Sequence, residues 1–261
     1  MKKVILLTSF GTSEKNDIER CLYPIRDDIK KEFQSYEVFT VFTSKIIRER
    51  LLLKYDMQIF SLEGSLKRLE EKGYEEIIIL PLYLIENEEH KALQKLVLER
   101  KDSFRFLSVL EPLLSLDNKG NLKNVESLIT AISKVSKNKE SMLFVGHGIK
   151  NKINIPFIRL KEELYRRNIK NIYFSTFEGR PNFDETVQKI FEDRIDYIRL
   201  TSFLIFSGYH SKKDIFGEME TSYCSKLKAL GVKVEEDMLS LGEREEFRKI
   251  FIELLRKYVN N

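Results

Sequence analysis

Three residues with metal-binding side chains each follow a predicted strand in the second half of the chain: His147, Glu178 and His210. Residues 142–145 form an apolar run that ends abruptly in Gly-His-Gly, which is typical of a buried parallel strand opening into a tight turn. The carboxyl ends of parallel strands meet at one edge of a sheet, where α/β proteins bind their ligands. We therefore expect these three side chains to converge at that edge.

Two imidazoles and a carboxylate suit Co²⁺, Ni²⁺, Fe²⁺ or Zn²⁺. Hydrolytic zinc enzymes also use two histidines and a glutamate, but the helix-borne HExxH spacing is absent. The pattern therefore predicts a metal site, and the alternative is three unrelated loop residues.

A second group, of hydroxyls and cations, lies around the predicted strand ends of both halves. Together they could contact an anionic ligand with several carboxylates, and Gly11-Thr12-Ser13 at a helix start could cradle one anion. For His90, a position on the helix surface competes with a ligand role. A nucleotide is not expected, because neither GxxxxGK[ST] nor GxGxxG occurs. The candidate ligand-contacting residues are Ser9, Gly11, Thr12, Ser13, Ser44, Lys45, Glu88 and His90.

Alternating strands and helices should position these residues. The predicted strands are 4–8, 36–42, 75–84, 104–109, 142–145, 171–176, 195–206 and 232–236. The predicted helices start near 13, 45, 58, 87, 156, 183 and 243, with one more after 210. This alternation predicts an α/β fold made of parallel sheets with helices on both faces.

The two halves of the chain can be laid over each other, with Gly11 on Gly148, Ser44 on Glu178 and His90 on His210. We therefore predict two similar α/β lobes with a cleft between them. The polar stretch 115–124 is the best candidate linker. This places an N-terminal lobe at 1–120 and a C-terminal lobe with the metal site at 121–261, whose closing helix could pack back on the first lobe.

Composition excludes several classes of protein. Hydrophobic residues make up 42% and charged residues 33%, and the net charge of +4 is dispersed. No basic block or nucleic-acid motif is present, and no apolar run approaches the roughly 20 residues of a membrane span. Two cysteines without a CxxC pair favour reduced thiols. We expect a cytoplasmic protein without nucleic-acid or membrane partners.

Six motifs in order resemble the anaerobic cobalt chelatases, the class II chelatases that insert Co²⁺ into sirohydrochlorin (or precorrin-2) in cobalamin biosynthesis. They cover nearly the whole chain: TSFGTS at 8–13, FTSKIIR at 42–48, PLYLIENEEH at 81–90, VGHG at 145–148, FEGRP at 177–181 and SGYH at 207–210. Two positions depart from the family pattern. Tyr209 stands where an acidic residue often precedes the second histidine, and Asn151 stands where some members have histidine.

The resemblance implies a lyase that takes Co²⁺ as its substrate metal, without an organic cofactor. It places metal ligands at His147, Glu178 and His210, and catalysis at His147 and Glu178. It implies a tetrapyrrole substrate bound by the candidate ligand-contacting residues of the first half, and it allows a homo-oligomer. Because a neutral imidazole is well matched to accepting protons near pH 7, the resemblance also implies that His147 is the base. The alternatives are a ferrochelatase or nickelochelatase with the same ligands, a tetrapyrrole- or metal-binding carrier without turnover, and a metal-dependent hydrolase.

Overall fold

The computed structural model describes residues 1–136, 140–206, 208 and 211–259, with the backbone alone at 211 and 212. The strands are β1 (Lys2–Ser9), β2 (Glu37–Phe42), β3 (Tyr74–Pro81), β4 (Phe106–Val109), β5 (Met142–Ile153), β6 (Ile172–Arg180), β7 (Tyr197–Ser202) and β8 (Lys233–Asp237). The α-helices are α1 (Lys15–Asp17), α2 (Tyr23–Glu32), α3 (Lys45–Tyr55), α4 (Leu62–Glu71), α5 (Glu88–Arg100), α6 (Val125–Val135), α7 (Ile155–Arg166), α8 (Phe183–Glu192), α9 (Tyr223–Ala229) and α10 (Glu245–Arg256). None of these described helices is long and apolar enough to cross a membrane.

The first sheet has the strand order β2-β1-β3-β4, and all neighbouring strands are parallel. Residues 4–7 and 77–80 of its two central strands are fully buried, because helices cover both faces of a parallel sheet. Ser44 and Ser61 begin α3 and α4 by accepting hydrogen bonds from backbone N–H groups of the first helical turn. These caps fix where each helix leaves the carboxyl edge of the sheet.

The second sheet repeats this plan with the order β6-β5-β7-β8, again entirely parallel. One of its faces is packed with aromatic rings: Phe144, Phe174 and Phe203 contact one another with centroids 5.3–5.6 Å apart. Phe157 of α7 and Phe247 of α10 extend this cluster. The predicted α/β class with two similar lobes, each a parallel sheet flanked by helices, is confirmed.

Phe174→Ala should lower the free energy of unfolding by about 3–5 kcal/mol, because it opens a cavity among tightly packed rings. Phe174 contacts Phe144, Phe157 and Phe203 and is 2% exposed. Urea denaturation measures the change. Phe191→Ala, at a ring that is 46% exposed, is the control and should stay within about 0.5 kcal/mol. Equal losses in the two variants would contradict the assignment of Phe174 to the core.

The central strands of the two sheets end in equivalent registers. The N–H that follows β3 donates to Thr8 O, and the N–H that follows β7 donates to Val145 O, each at 2.7 Å. Thr8 and Val145 are therefore equivalent positions, and the residues three positions later, Gly11 and Gly148, are equivalent as well. Both glycines have positive φ, +104° and +76°. The predicted superposition of the two halves therefore holds at this position.

The neighbouring strands β2 and β6 follow the same register. The residues paired with the two carbonyl-bearing positions are Val41 and Ser175. Three residues further on, Ser44 coincides with Glu178, again as the superposition predicts. The remaining predicted match, His90 on His210, falls partly outside the described residues.

The ends of several strands differ from the prediction. β3 ends at Pro81 instead of 84, and β6 continues to Arg180 instead of ending at 176. β5 does not stop at the Gly-His-Gly turn but continues irregularly to Ile153, because Gly148 and Ile153 still pair with β6. β7 is shorter than the predicted 195–206. Ile195 N bonds to the end of α8, and Leu204 O accepts from the N–H of Leu241 instead of a strand neighbour.

The chain forms two compact units, Met1–Leu113 with Arg248–Asn261 and Leu114–Phe247. Within the first unit, Arg248 Nε of α10 donates to Asp28 Oδ2 of α2 at 2.6 Å. The predicted linker 115–124 is a folded turn of the second unit, where Asp117 accepts two backbone N–H groups at 2.8 Å. The division into functional domains at residue 120 stays a prediction.

Candidate metal centre

His147 lies between two glycines of β5, at the carboxyl edge of the second sheet. Its side chain is 51% exposed, and its Nδ1 is 3.2 Å from Gly148 O. The ring of Phe177 approaches the imidazole edge-on, with centroids 6.4 Å apart. The imidazole is therefore accessible to a ligand while one of its nitrogens contacts the backbone.

Glu178 lies in β6, directly opposite Gly148 in the register. Its Oε2 is 4.0 Å from His147 Nδ1, and its side chain is 41% exposed. The structure thus brings together two of the three predicted metal ligands. The third, His210, lies outside the described residues. Within the described ranges, no group of three or more His, Cys, Asp or Glu residues is arranged to hold a metal ion.

Two glycines allow the β5 and β6 segments to approach this closely. A Cβ atom on Gly148 would lie 2.0 Å from Glu178 O, and its φ of +76° disfavours any other residue. A Cβ atom on Gly179, whose φ is +77°, would lie 2.3 Å from Lys152 O. The second glycine of Gly-His-Gly and the glycine of the FEGRP motif are therefore both sterically required.

Asn154 connects the β5 segment after His147 to the β6 segment around Glu178, although it belongs to none of the sequence motifs. It is 2% exposed, and its Oδ1 accepts from Ile149 N at 3.0 Å. Its Nδ2 donates to Glu178 O at 3.0 Å and to Thr176 Oγ1 at 3.1 Å. The available sequence signal, an asparagine just before a predicted helix start, indicates a helix cap and gives no hint of this link.

An aromatic pair supports the end of β6. The Tyr223 hydroxyl contacts Ser175 Oγ at 2.9 Å and donates to Thr176 O at 3.1 Å. Its ring packs edge-on against Phe177 at 5.7 Å. Burial raises the pKa of Tyr223 to about 12, so the hydroxyl stays protonated and keeps its donor role near neutral pH.

The predicted substrate-contacting residues after β1 differ from one another in burial and in hydrogen bonding. Ser9 is buried, and its hydroxyl has no hydrogen-bond partner among the described residues. Thr12 Oγ1 donates to Asp17 Oδ2 at 3.1 Å, which ties the loop to the helical segment that follows. Gly11 supplies the positive φ of the turn, and Ser13 is half-buried. Thr12 and Gly11 thus have structural tasks in addition to the predicted contact with a ligand.

The connection after β2 lies beside this loop. Ser44 N donates to Phe10 O at 3.3 Å, and the Ser44 hydroxyl caps α3. The Lys45 side chain is 80% exposed, with Nζ 3.7 Å from Glu49 Oε1. In the register shared by the two sheets, Phe10 stands where the second sheet has His147. At these two positions the first sheet therefore has Phe10 and Ser44 instead of the imidazole and carboxylate of the second sheet.

Glu88 and His90 begin α5, after β3. The Glu88 side chain is 88% exposed and pairs with Lys91 at 2.9 Å. His90 is only 2% exposed, and its Nε2 is 3.1 Å from Leu110 O. The expectation of a helix-surface histidine is therefore wrong, because His90 shares the buried face of α5 with Leu93. Its contact with a substrate stays a prediction.

The fold is that of the class II chelatases. SirB from Bacillus subtilis, solved with Fe³⁺, matches this chain with a TM-score of 0.66 and 17% identity over 98% of this chain and 95% of SirB. At that identity, the likeness shows a shared fold alone.

The chain belongs to the cobalt chelatase (CbiK) family, whose model matches residues 3–260. Two curated relatives align along its length. The sirohydrochlorin cobaltochelatase of Salmonella typhimurium is 22% identical over 100% of this chain and 97% of its own. The sirohydrochlorin cobaltochelatase CbiKC of Nitratidesulfovibrio vulgaris is 26% identical over 99% and 91%. The predicted family is confirmed, and the chain is a metal chelatase.

Proposed function

We propose that this chain is a sirohydrochlorin cobaltochelatase, which inserts Co²⁺ into sirohydrochlorin (or precorrin-2) in anaerobic cobalamin biosynthesis. The observation that supports it most directly is the accessible His147 imidazole held 4.0 Å from the Glu178 carboxylate, in a chain of the cobalt chelatase family. The names of the two full-length relatives give the substrate.

His147 is the proposed base and first metal ligand. Its Nδ1 lies near both Gly148 O and Glu178 Oε2, which are acceptors. This arrangement favours the tautomer with the proton on Nδ1, which makes Nε2 the nitrogen with the basic lone pair. That lone pair can coordinate a metal ion or accept a proton from the ring.

The reaction replaces two protons with one metal ion. Sirohydrochlorin loses two pyrrole N–H protons, and the four ring nitrogens bind Co²⁺ in place of its water and protein ligands. In our proposal one pyrrole proton goes to His147 Nε2, and the half-exposed imidazole then releases it to solvent. The same imidazole accepts the second pyrrole proton in a second transfer. Glu178 stabilises the imidazolium that forms, and with His147 and His210 it holds Co²⁺ beforehand as a mixed nitrogen and oxygen ligand set.

The tetrapyrrole carboxylates need cations, hydroxyls and N–H groups. We propose that the edge of the first sheet supplies them, with Lys45, whose side chain is 80% exposed, as the cation. The proposed substrate-contacting residues are Ser9, Gly11, Thr12, Ser13, Ser44, Lys45, Glu88 and His90. We also propose a cytoplasmic location, which the two buried cysteines support because both are present as thiols.

The test is anaerobic absorbance after mixing the purified chain with sirohydrochlorin and Co²⁺. We expect metallation faster than in the protein-free blank, with turnover when the substrates exceed the protein. Repeating the assay with Fe²⁺ and Ni²⁺ ranks the metals, and faster insertion of either would replace cobalt as the substrate. Tight binding of sirohydrochlorin without faster metallation would contradict the enzyme function and favour a tetrapyrrole carrier.

A further inference from the structure

Asn154 departs from the role that its position suggests. It is the residue before α7, where an asparagine side chain normally caps the helix. Asn87 and Asn182 do cap α5 and α8 in this way, each by accepting from a backbone N–H of the first turn. The Asn154 side chain makes no such bond. Its amide is directed instead to the segments that bear the candidate ligands.

Besides its bond to Thr176 Oγ1, Asn154 makes its hydrogen bonds with main-chain atoms in or next to those ligands. Its Oδ1 accepts from Ile149 N, two residues after His147, at 3.0 Å. Its Nδ2 donates to the carbonyl of Glu178 itself, at 3.0 Å. Its own backbone N–H donates to Arg180 O at 2.8 Å, so three hydrogen bonds join the segments after both ligands.

Burial makes these bonds hard to replace. Asn154 is 2% exposed and packs where Gly148 and Gly179 have no side chain, with Nδ2 2.8 Å and 3.0 Å from the positions a Cβ atom would take. A buried amide that loses its partners cannot turn to bulk water instead. These bonds therefore add to the β5–β6 pairing in holding the segments that carry His147 and Glu178 side by side.

We propose that Asn154 is a positioning residue that sets the spacing of His147 and Glu178 for Co²⁺. The inference rests on the proposed function, because it assumes that these two residues bind the substrate metal. Groups that orient metal ligands typically change metal affinity by about 10- to 100-fold when they are altered.

The test is titration of the full-length chain with Co²⁺ alone, followed by the visible d–d absorbance of the bound ion. Asn154→Asp keeps the size and the acceptor for Ile149 N, but it places an oxygen against Glu178 O. We expect Co²⁺ affinity about 10- to 100-fold lower than in the wild type, with altered band positions at saturation. Asn154→Ala, which removes all three side-chain hydrogen bonds, should weaken binding at least as much.

Asn171→Ala is the matched control. Asn171 precedes β6 at the opposite edge of the same sheet, and its Nδ2 also donates to a main-chain carbonyl, that of Glu140. We expect it to lower thermal stability like the Asn154 variants while leaving Co²⁺ affinity and spectrum unchanged. All titrations are done well below each variant's melting temperature.

The outcomes separate the two proposals. If His147→Ala abolishes Co²⁺ binding but both Asn154 variants bind like the wild type, the positioning role is wrong and the proposed function stands. If Asn171→Ala weakens binding as much as Asn154→Asp, the effect is general destabilisation and the positioning role is again wrong. If the wild type binds no Co²⁺ through His147, the positioning role is wrong, and the metallation assay with sirohydrochlorin decides the proposed function separately.

Discussion

Replacing His147 with alanine should lower the rate of cobalt insertion by at least about 100-fold, since the variant loses the proposed base together with a metal ligand. His147 is half exposed, and neither neighbour along β5 has a side chain that could take its place. Anaerobic stopped-flow absorbance with sirohydrochlorin and Co²⁺ measures the rate. Because the side chain is outside the core, the variant should unfold at nearly the wild-type temperature.

Two control variants test whether the rate loss comes from removing the imidazole or from disturbing the sheet. Asn171→Ala, at the far end of β6, should retain the wild-type insertion rate under the same conditions. His147→Gln, which keeps a polar side chain but has no basic nitrogen, should be as slow as the alanine variant. A rate close to that of the wild type in either His147 variant would rule out His147 as the base.

Gly148→Ala should damage both the stability and the metal site. An alanine at φ +76° costs about 1–2 kcal/mol in backbone conformation, and its Cβ would lie 2.0 Å from Glu178 O. Relieving that overlap costs about a further 1–3 kcal/mol and moves β6 away from β5. We expect unfolding at lower urea concentration by circular dichroism, and loss of Co²⁺ d–d absorbance at concentrations that saturate the wild type.

Gly231→Ala separates the two costs. Gly231 has a similar φ of +83°, but a Cβ atom added there would have no heavy atom within 4 Å. This variant should lose only the backbone contribution and bind Co²⁺ normally. If the two alanine variants lose equal stability and both bind Co²⁺, then the close approach of Gly148 to Glu178 is not needed for the site.

The sequence predicted the parts of this fold that follow from local patterns. Continuous apolar runs such as 77–80 indicate central strands of a parallel sheet that helices cover on both faces, and these residues are fully buried. Gly11 and Gly148 mark the same turn in each half, because a positive φ at a strand exit excludes most other residues. His147 and Glu178 could be placed at one edge for the same reason, since parallel strands all end on the same side.

Other features depend on contacts between distant residues. The burial of His90 follows from the way α5 lies on its sheet, and a single histidine near a helix start does not reveal it. The residues after Gly-His-Gly carry no strand signal in the sequence. They extend β5 only because Gly148 and Ile153 pair with β6.

The sequence by itself determined the family, the α/β class and the two residues, His147 and Glu178, that could bind a metal at a sheet edge. Only the tertiary structure decided how those residues are held. Asn154 reaches Glu178 O across 24 positions of the chain, through an amide that looks like an ordinary helix cap in the sequence. Hydrogen bonds of this kind depend on the distance between folded segments, which no local pattern encodes.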